Sequence, residues 1–448
     1  MVRPQWVKRL DEHPTLRFTL PVLFENLQSI FISMAFSQVI STISGSALAA
    51  IGMANTIMAV VFALFSVVTT GAAVLVSRQI GANQGVEAAD TIEQATLISV
   101  WGSGIITLFC VVTSRWLLRL LMPTAEDVLF EEAVRYYCFL MLSLPFHVLI
   151  NVLGGAMRSL GNSKTPMIAN TITCVLLLVF GYLFVIVIPM AEVGAGLAYI
   201  CCRIIGAWIS VRALLHDHRY FVLKLRNMVL RARSTTIMRI LHIGIPVCVE
   251  SLFVQIGYML ANSMSIALGT LEGSVYQIMN TINSFISLPQ GICSTVGLSA
   301  VGRLLGAQDT KKARKTGRMI WLVGIVSSAA LGAIVLFFSK PLSGLYSSDP
   351  IAISMSSNLM WILIVMDIAG CSINAIDAQL RAGGDVKYVM IVTLTAVWLI
   401  RLPLTYLFCF VLDWSVLGIY GANTISLYYR AILGLVRHCG DRWMTKKV

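Results

Sequence analysis

Two glutamates stand in matching text 225 residues apart, Pro21-Val22-x2-Glu25 and Pro246-Val247-x2-Glu250, inside sequence almost free of charge. A carboxylate in hydrocarbon is costly, so it marks a functional candidate that takes up a proton or stays ionised and holds a cation. The plainer alternative is an acid paired with an arginine or reaching the interface, and duplication alone leaves both readings open. Asp367 and Asp377 add two carboxylates on nearly one helix face, about 15 Å apart along the axis. Asp377 precedes Arg381 by four residues and is expected to pair with it, whereas Asp367 has no local partner and is the better coupling candidate. Arg401 and Arg203 are the two cations expected within apolar spans. Arg401 is expected to neutralise one of the acids, the alternative being contact with an anionic group; Arg203 is a weaker case of the same kind.

Around these charges, Gln38, Asn55, Asn170, Gln255, Asn280 and Asn283 supply uncharged hydrogen-bonding groups that suit a wet cavity or bonds between helices. Met259 and Phe285 suit a cavity that accepts varied apolar shapes. No nucleophile–base–acid set, metal-ligand spacing or dinucleotide fingerprint is present, so neither an enzyme nor a bound cofactor or metal is expected. Ten cysteines without a C-x2-C pair read as small reduced hydrophobes.

The elements that carry these residues are set by composition. Hydrophobic residues make up 57% and charged residues 12%, against roughly 25% charged in soluble domains. Apolar runs give twelve predicted spans, at 18–43, 50–76, 94–115, 133–157, 166–188 and 193–214, then 240–267, 273–301, 317–339, 351–377, 388–411 and 417–437. With the amino terminus inside, 27 of the 33 lysines and arginines fall in cytoplasmic segments. The net charge of +12 thus records orientation by the positive-inside rule rather than nucleic-acid binding, and both termini are expected in the cytoplasm.

The chain also repeats itself. Asn55-Thr56-Ile57 recurs as Asn280-Thr281-Ile282, and Arg78-x2-Gly81-Ala82 as Arg303-x2-Gly306-Ala307, at the same offset as the glutamates. Arg158-x2-Gly161-Asn162-x-Lys164 recurs as Arg381-x2-Gly384-Asp385-x-Lys387 after a shift of two. The glycine-arginine pairs read as tight turns, since they lack the strand–loop–helix context of a phosphate loop. The predicted fold is therefore an all-α integral membrane protein of twelve transmembrane helices in two six-helix lobes, 1–215 and 240–448, joined by a basic cytoplasmic linker, 216–239. Six spans per copy relate the lobes by a pseudo-two-fold axis along the membrane normal.

In Ser44-Gly45-Ser46-Ala47, Arg78-Gln79-Ile80-Gly81-Ala82, Arg158-Ser159-Leu160-Gly161-Asn162, Gly244-Ile245-Pro246, Gly302-Arg303-Leu304-Leu305-Gly306, Arg381-Ala382-Gly383-Gly384-Asp385 and Arg401-Leu402-Pro403, the chain resembles the multidrug and toxic compound extrusion (MATE) family over essentially its whole length. It looks nearest to the DNA-damage-inducible-F-like and clostridial-type bacterial branch. The resemblance implies two lobes forming a V around a central cavity, and export of small amphipathic organic cations driven by inward Na⁺ or H⁺. Two departures stand out: Gln38 takes the place of an aspartate that many relatives carry in helix 1, and the stretch Cys174 to Leu178 lacks their helix 5 acid. Coupling then falls to Glu25, Glu250 or the helix 10 aspartates.

The expected function is a cation-coupled antiporter of the plasma membrane, acting as a monomer within the lipid bilayer. The alternative is a flippase for lipid-linked saccharides or lipids of the same wider superfamily, which would call for a cavity rich in arginine and lysine and usually fourteen helices. Here only two basic residues are expected inside spans.

Overall fold

The computed structural model describes residues 14–41, 45–121, 127–216, 232–347, 349–440 and 443–444, and the chain is helical over nearly all of them. Hydrocarbon offers the backbone no partners, and apolar segments of this length satisfy their own N–H and C=O groups by coiling. One compact unit is Met1–Ile245. It holds α1 (Pro14–Ser41), α2 (Gly45–Leu64), α3 (Ser66–Gly81), α4 (Gly85–Val112), α5 (Ser114–Leu121), α6 (Asp127–Leu142), α7 (Leu144–Ser159), α8 (Lys164–Gly181, continued by the π-helical Tyr182–Val187) and α9 (Ala191–Leu215).

The other unit, Pro246–Val448, takes over within α10 (Ser234–Leu268). It continues with α11 (Thr270–Ile286), α12 (Leu288–Gly306), α13 (Thr310–Phe337), α14 (Ser339–Gly344), α15 (Pro350–Ala382), α16 (Val386–Thr395, then π-helical Ala396–Arg401), α17 (Leu402–Tyr406, then π-helical Leu407–Val411) and α18 (Ser415–Cys439). Its core gathers Met279 and Ile282 of α11, Met360 and Leu363 of α15, and Val416 and Tyr420 of α18.

Ten helical stretches among the described residues are long and apolar enough to cross a bilayer, and α11 with α12, bent by 42° between them, makes an eleventh. The twelfth predicted span, 417–437, falls on α18, which has the length but carries Arg430, Arg437 and His438 in its second half. Prolines mark several interruptions: Pro145 opens α7, Pro289 sits beside the 42° bend, and Pro403 follows a π-helical turn. Each lacks the N–H that would continue the ladder.

Most of the predicted linker, at 217–231, lies outside the described residues. The start of α10 belongs with the first unit: Arg233 pairs with Asp90 at 2.7 Å and Thr236 Oγ1 donates to Asp90 Oδ2 at 2.6 Å. A Cβ at Gly244 would lie 2.0 Å from the Val67 carbonyl oxygen, so α10 and α3 meet backbone to backbone. The division between units therefore falls inside a continuous helix.

The repeated turns close alike in both copies. Gly161 and Gly384 have φ of 84° and 83°, a conformation only glycine adopts without cost. The next residue of each closes the helix end, Asn162 N donating to Met157 O and Asp385 N to Leu380 O, both at 2.9 Å. In the Arg78 and Arg303 turns the left-handed residue is instead Asn83 or Gln308, at φ 59° and 60°, two positions past the glycine.

Candidate functional site

Each repeated glutamate meets the repeated arginine of its own unit. Arg158 Nη1, on α7, donates to both carboxylate oxygens of Glu25, on α1, at 3.1 and 3.2 Å. Arg381 Nη2, on α15, donates to Glu250 Oε2, on α10, at 2.8 Å. The two motifs lie 133 residues apart in the first copy and 131 in the second, yet the fold brings them to the same contact. Both pairs are largely buried, with Glu250 5% and Glu25 19% exposed at the side chain.

Beyond that contact the copies diverge. Glu250 Oε1 also accepts a hydrogen bond from Thr393 Oγ1 at 2.9 Å and lies 3.5 Å from Arg430 Nη2, on α18. Arg430 in turn donates to Asp377 Oδ2 at 3.0 Å. Asp377 is thus paired with Arg430, not with Arg381 as the four-residue spacing predicts, because Arg381 is committed to Glu250 across the helix packing. In the first copy the position matching Asp377 is Gly154, where a Cβ would lie 3.5 Å from Arg158 Nη2. The first copy has the ion pair without the second acid.

Asp367 is fully buried and does have a partner, supplied from α12: Gln290 Nε2 donates to its Oδ1. Its other oxygen, Oδ2, is buried with no hydrogen-bond partner among the described residues. Asn374 Nδ2 donates to Gln290 Oε1 at 3.1 Å, so Asp367 is held from behind by an amide chain.

Arg401 departs from expectation. It is 4% exposed, and no carboxylate among the described residues approaches within ion-pair distance. Its guanidinium lies 4.4 Å from the centroid of the Tyr258 ring instead. Arg203 likewise meets no acid among the described residues: Nη1 donates to Ser143 Oγ at 2.5 Å and the guanidinium covers Tyr199 at 4.7 Å.

A cavity of about 380 Å³ within the second unit is lined by Glu250, Asp377, Arg381, Arg401 and Arg430, and by Asn280 and Asn283. Three tyrosines, 258, 276 and 420, form part of its wall. Buried Asn283 Oδ1 has no hydrogen-bond partner among the described residues. Gln255, Met259 and Phe285 lie off this lining. In the first unit Asn170 Nδ2 donates to Ser29 Oγ at 3.0 Å, tying α8 to α1, and Asn55 is exposed on α2. The side chain of Gln38 lies outside the described residues.

The residue that sequence reasoning misses is Arg430, absent from the two cations expected within spans; its side chain is only 13% exposed and bridges Glu250 and Asp377. The signal was its position within Leu427-Tyr428-Tyr429-Arg430-Ala431-Ile432-Leu433, an apolar run like those holding the other buried charges. Gln290, Thr393 and the three tyrosines carried no comparable signal, since each is common in membrane helices.

Comparison with known proteins places this geometry. The family model MatE matches residues 21–183 and again 246–407, one match per copy. A probable multidrug resistance protein NorM of Thermotoga maritima is 21% identical over 97% of this chain and 93% of its own. The uncharacterized transporter YisQ of Bacillus subtilis is 27% identical over 96% and 94%. Among solved structures, a MOP superfamily transporter from Pyrococcus furiosus, described by a binding pocket of reverse polarity that suggests a different function, superposes with a TM-score of 0.89 at 19% identity, over 97% and 96% of the two chains. An outward-facing multidrug resistance MATE family transporter gives 0.88 at 19% identity, over 95% and 94%. These two likenesses carry the two-lobe fold, and with two copies of the family's domain over most of its length, this chain belongs to the MatE family.

Proposed function

We propose that this chain is an exporter of small amphipathic organic compounds, driven through alternating access by inward flow of Na⁺ or H⁺ across the plasma membrane. The observation that carries the reading is the cluster of Glu250, Asp377, Arg381 and Arg430 facing a cavity between membrane helices. Four ionisable groups so placed are costly in hydrocarbon and are kept where a charge must be bound and released. Entry of a proton or Na⁺ at Glu250 or Asp377 would loosen an arginine, and a cargo bound in the same cavity would favour the other ionic state. Mutually exclusive occupancy of that kind is what couples two fluxes.

Asp367 stands as a second coupling candidate behind Gln290, with one carboxylate oxygen open to an ion or a proton. The excess of lysine and arginine in alternate loops supports placing both termini in the cytoplasm. The test is drug resistance conferred on a sensitive host. Glu250→Gln should abolish it with the protein still present in the membrane; full resistance from that variant would refute the role.

A further inference from the structure

Arg401 closes the π-helical turn Ala396–Arg401, two residues before Pro403, and its side chain faces the cavity of the second unit. Its guanidinium makes no hydrogen bond or ion pair with any described residue, and its Nε is buried without an acceptor. The other ionised groups of the lining are spoken for. Glu250 is held by Arg381 and Thr393, and Asp377 by Arg430. Two carboxylates thus face three arginines, and one cation is left over. A buried charge with no counter-charge is strongly unfavourable, and the Tyr258 face at 4.4 Å offsets only part of that cost.

We infer that Arg401 is the docking point for an anionic group of the transported compound, a carboxylate being the best fit to the guanidinium fork. The proposal rests on the reading that this cavity receives the cargo, and it departs from the organic cations that the family resemblance implies. A guanidinium offers two parallel N–H donors that match the two oxygens of a carboxylate. Beside it, Tyr276 and Tyr420 stand with ring centroids 5.6 Å apart and line the same wall, a surface suited to the flat apolar body of an aromatic acid. Tyr420 Oη already donates to the Tyr276 carbonyl at 3.3 Å, which fixes that wall before any ligand arrives. The same chemistry would hold an inorganic anion, so the test must separate the two sources.

The experiment is equilibrium binding to the purified full-length protein in lipid nanodiscs, with no ion gradient, using 1-naphthoate and its uncharged isostere 1-naphthamide. Wild type should bind the acid about tenfold or more tightly than the amide, because a bond to a charged partner is the stronger kind. Arg401→Gln should erase that preference while leaving amide binding in place, and Arg401→Lys should keep part of it. Arg203→Gln, which removes another buried arginine that meets no acid among the described residues, should leave the preference unchanged. Equal affinity of wild type for acid and amide would overturn the proposal, even should Arg401→Gln fail to fold. So would a preference that persists in folded Arg401→Gln. Chloride alone competing fully at Arg401, with no advantage for the organic acid, would make this an inorganic anion site and equally overturn it. Because binding needs no gradient, a carboxylate preference can hold while gradient-driven export fails, and the converse, so the two readings fall separately.

Discussion

The two copies of the Glu–Arg contact have one origin in sequence and two degrees of elaboration. In the first, Glu25 and Arg158 satisfy each other, and glycine occupies the place where a second acid would stand. In the second, the same contact is joined by Asp377, Arg430 and Thr393 and opens onto a cavity. A closed pair is a strut between two helices. A shared network offers alternative pairings, because Arg430 already reaches both acids. The duplication is therefore best understood as a common structural clasp that one unit has extended into a wider charge network.

Substitutions that treat the copies alike should expose the difference. The largest effect is expected from Glu250→Gln, which should remove gradient-driven export while membrane levels stay near normal, checked by resistance and immunoblot. Asp377→Asn leaves Arg430 with a single acid, and losing one partner of a buried pair costs roughly 3–5 kcal/mol. It should cut transport at least severalfold and lower the thermal midpoint. Glu25→Gln should act on stability alone, by about 1–3 kcal/mol given its partial exposure, with transport per molecule retained. Export lost on Glu25→Gln at normal protein level would erase the contrast.

Gly154→Asp sharpens it from the other direction. The added Cβ has ordinary contact distance to the Arg158 guanidinium, so the variant should fold and give the first unit a second acid without changing export. The smallest effects should come from the turns. Gly161→Ala and Gly384→Ala each force a side chain into the left-handed region at about 1–2 kcal/mol and should lower stability equally in the two halves. Unequal losses would mean that the matching turns carry different loads.

Much of the frame was readable in advance. Hydropathy gave the helices, and the repeat offsets gave two comparable halves, because both are periodic properties of contiguous sequence. The glutamates were legible as exceptions to an apolar background. Their partners were not, since Arg158 and Arg381 lie more than a hundred residues away and spacing within one helix pointed Asp377 to the wrong arginine. Arg430 went unnoticed because sidedness rules count residues near helix ends without knowing which way a side chain turns. The solitude of Arg401 could not be read at all, for only packing reveals that no acid among the described residues reaches it.

The central claim is that the acids of the second unit, and not the matching glutamate of the first, turn the ion gradient into export. The most direct measurement is uptake of a fluorescent substrate into inverted vesicles under separate Na⁺ and proton gradients, comparing wild type, Glu25→Gln and Glu250→Gln at equal protein. One gradient should stimulate wild type and Glu25→Gln, and neither should stimulate Glu250→Gln. Stimulation retained by Glu250→Gln and lost by Glu25→Gln would contradict the account.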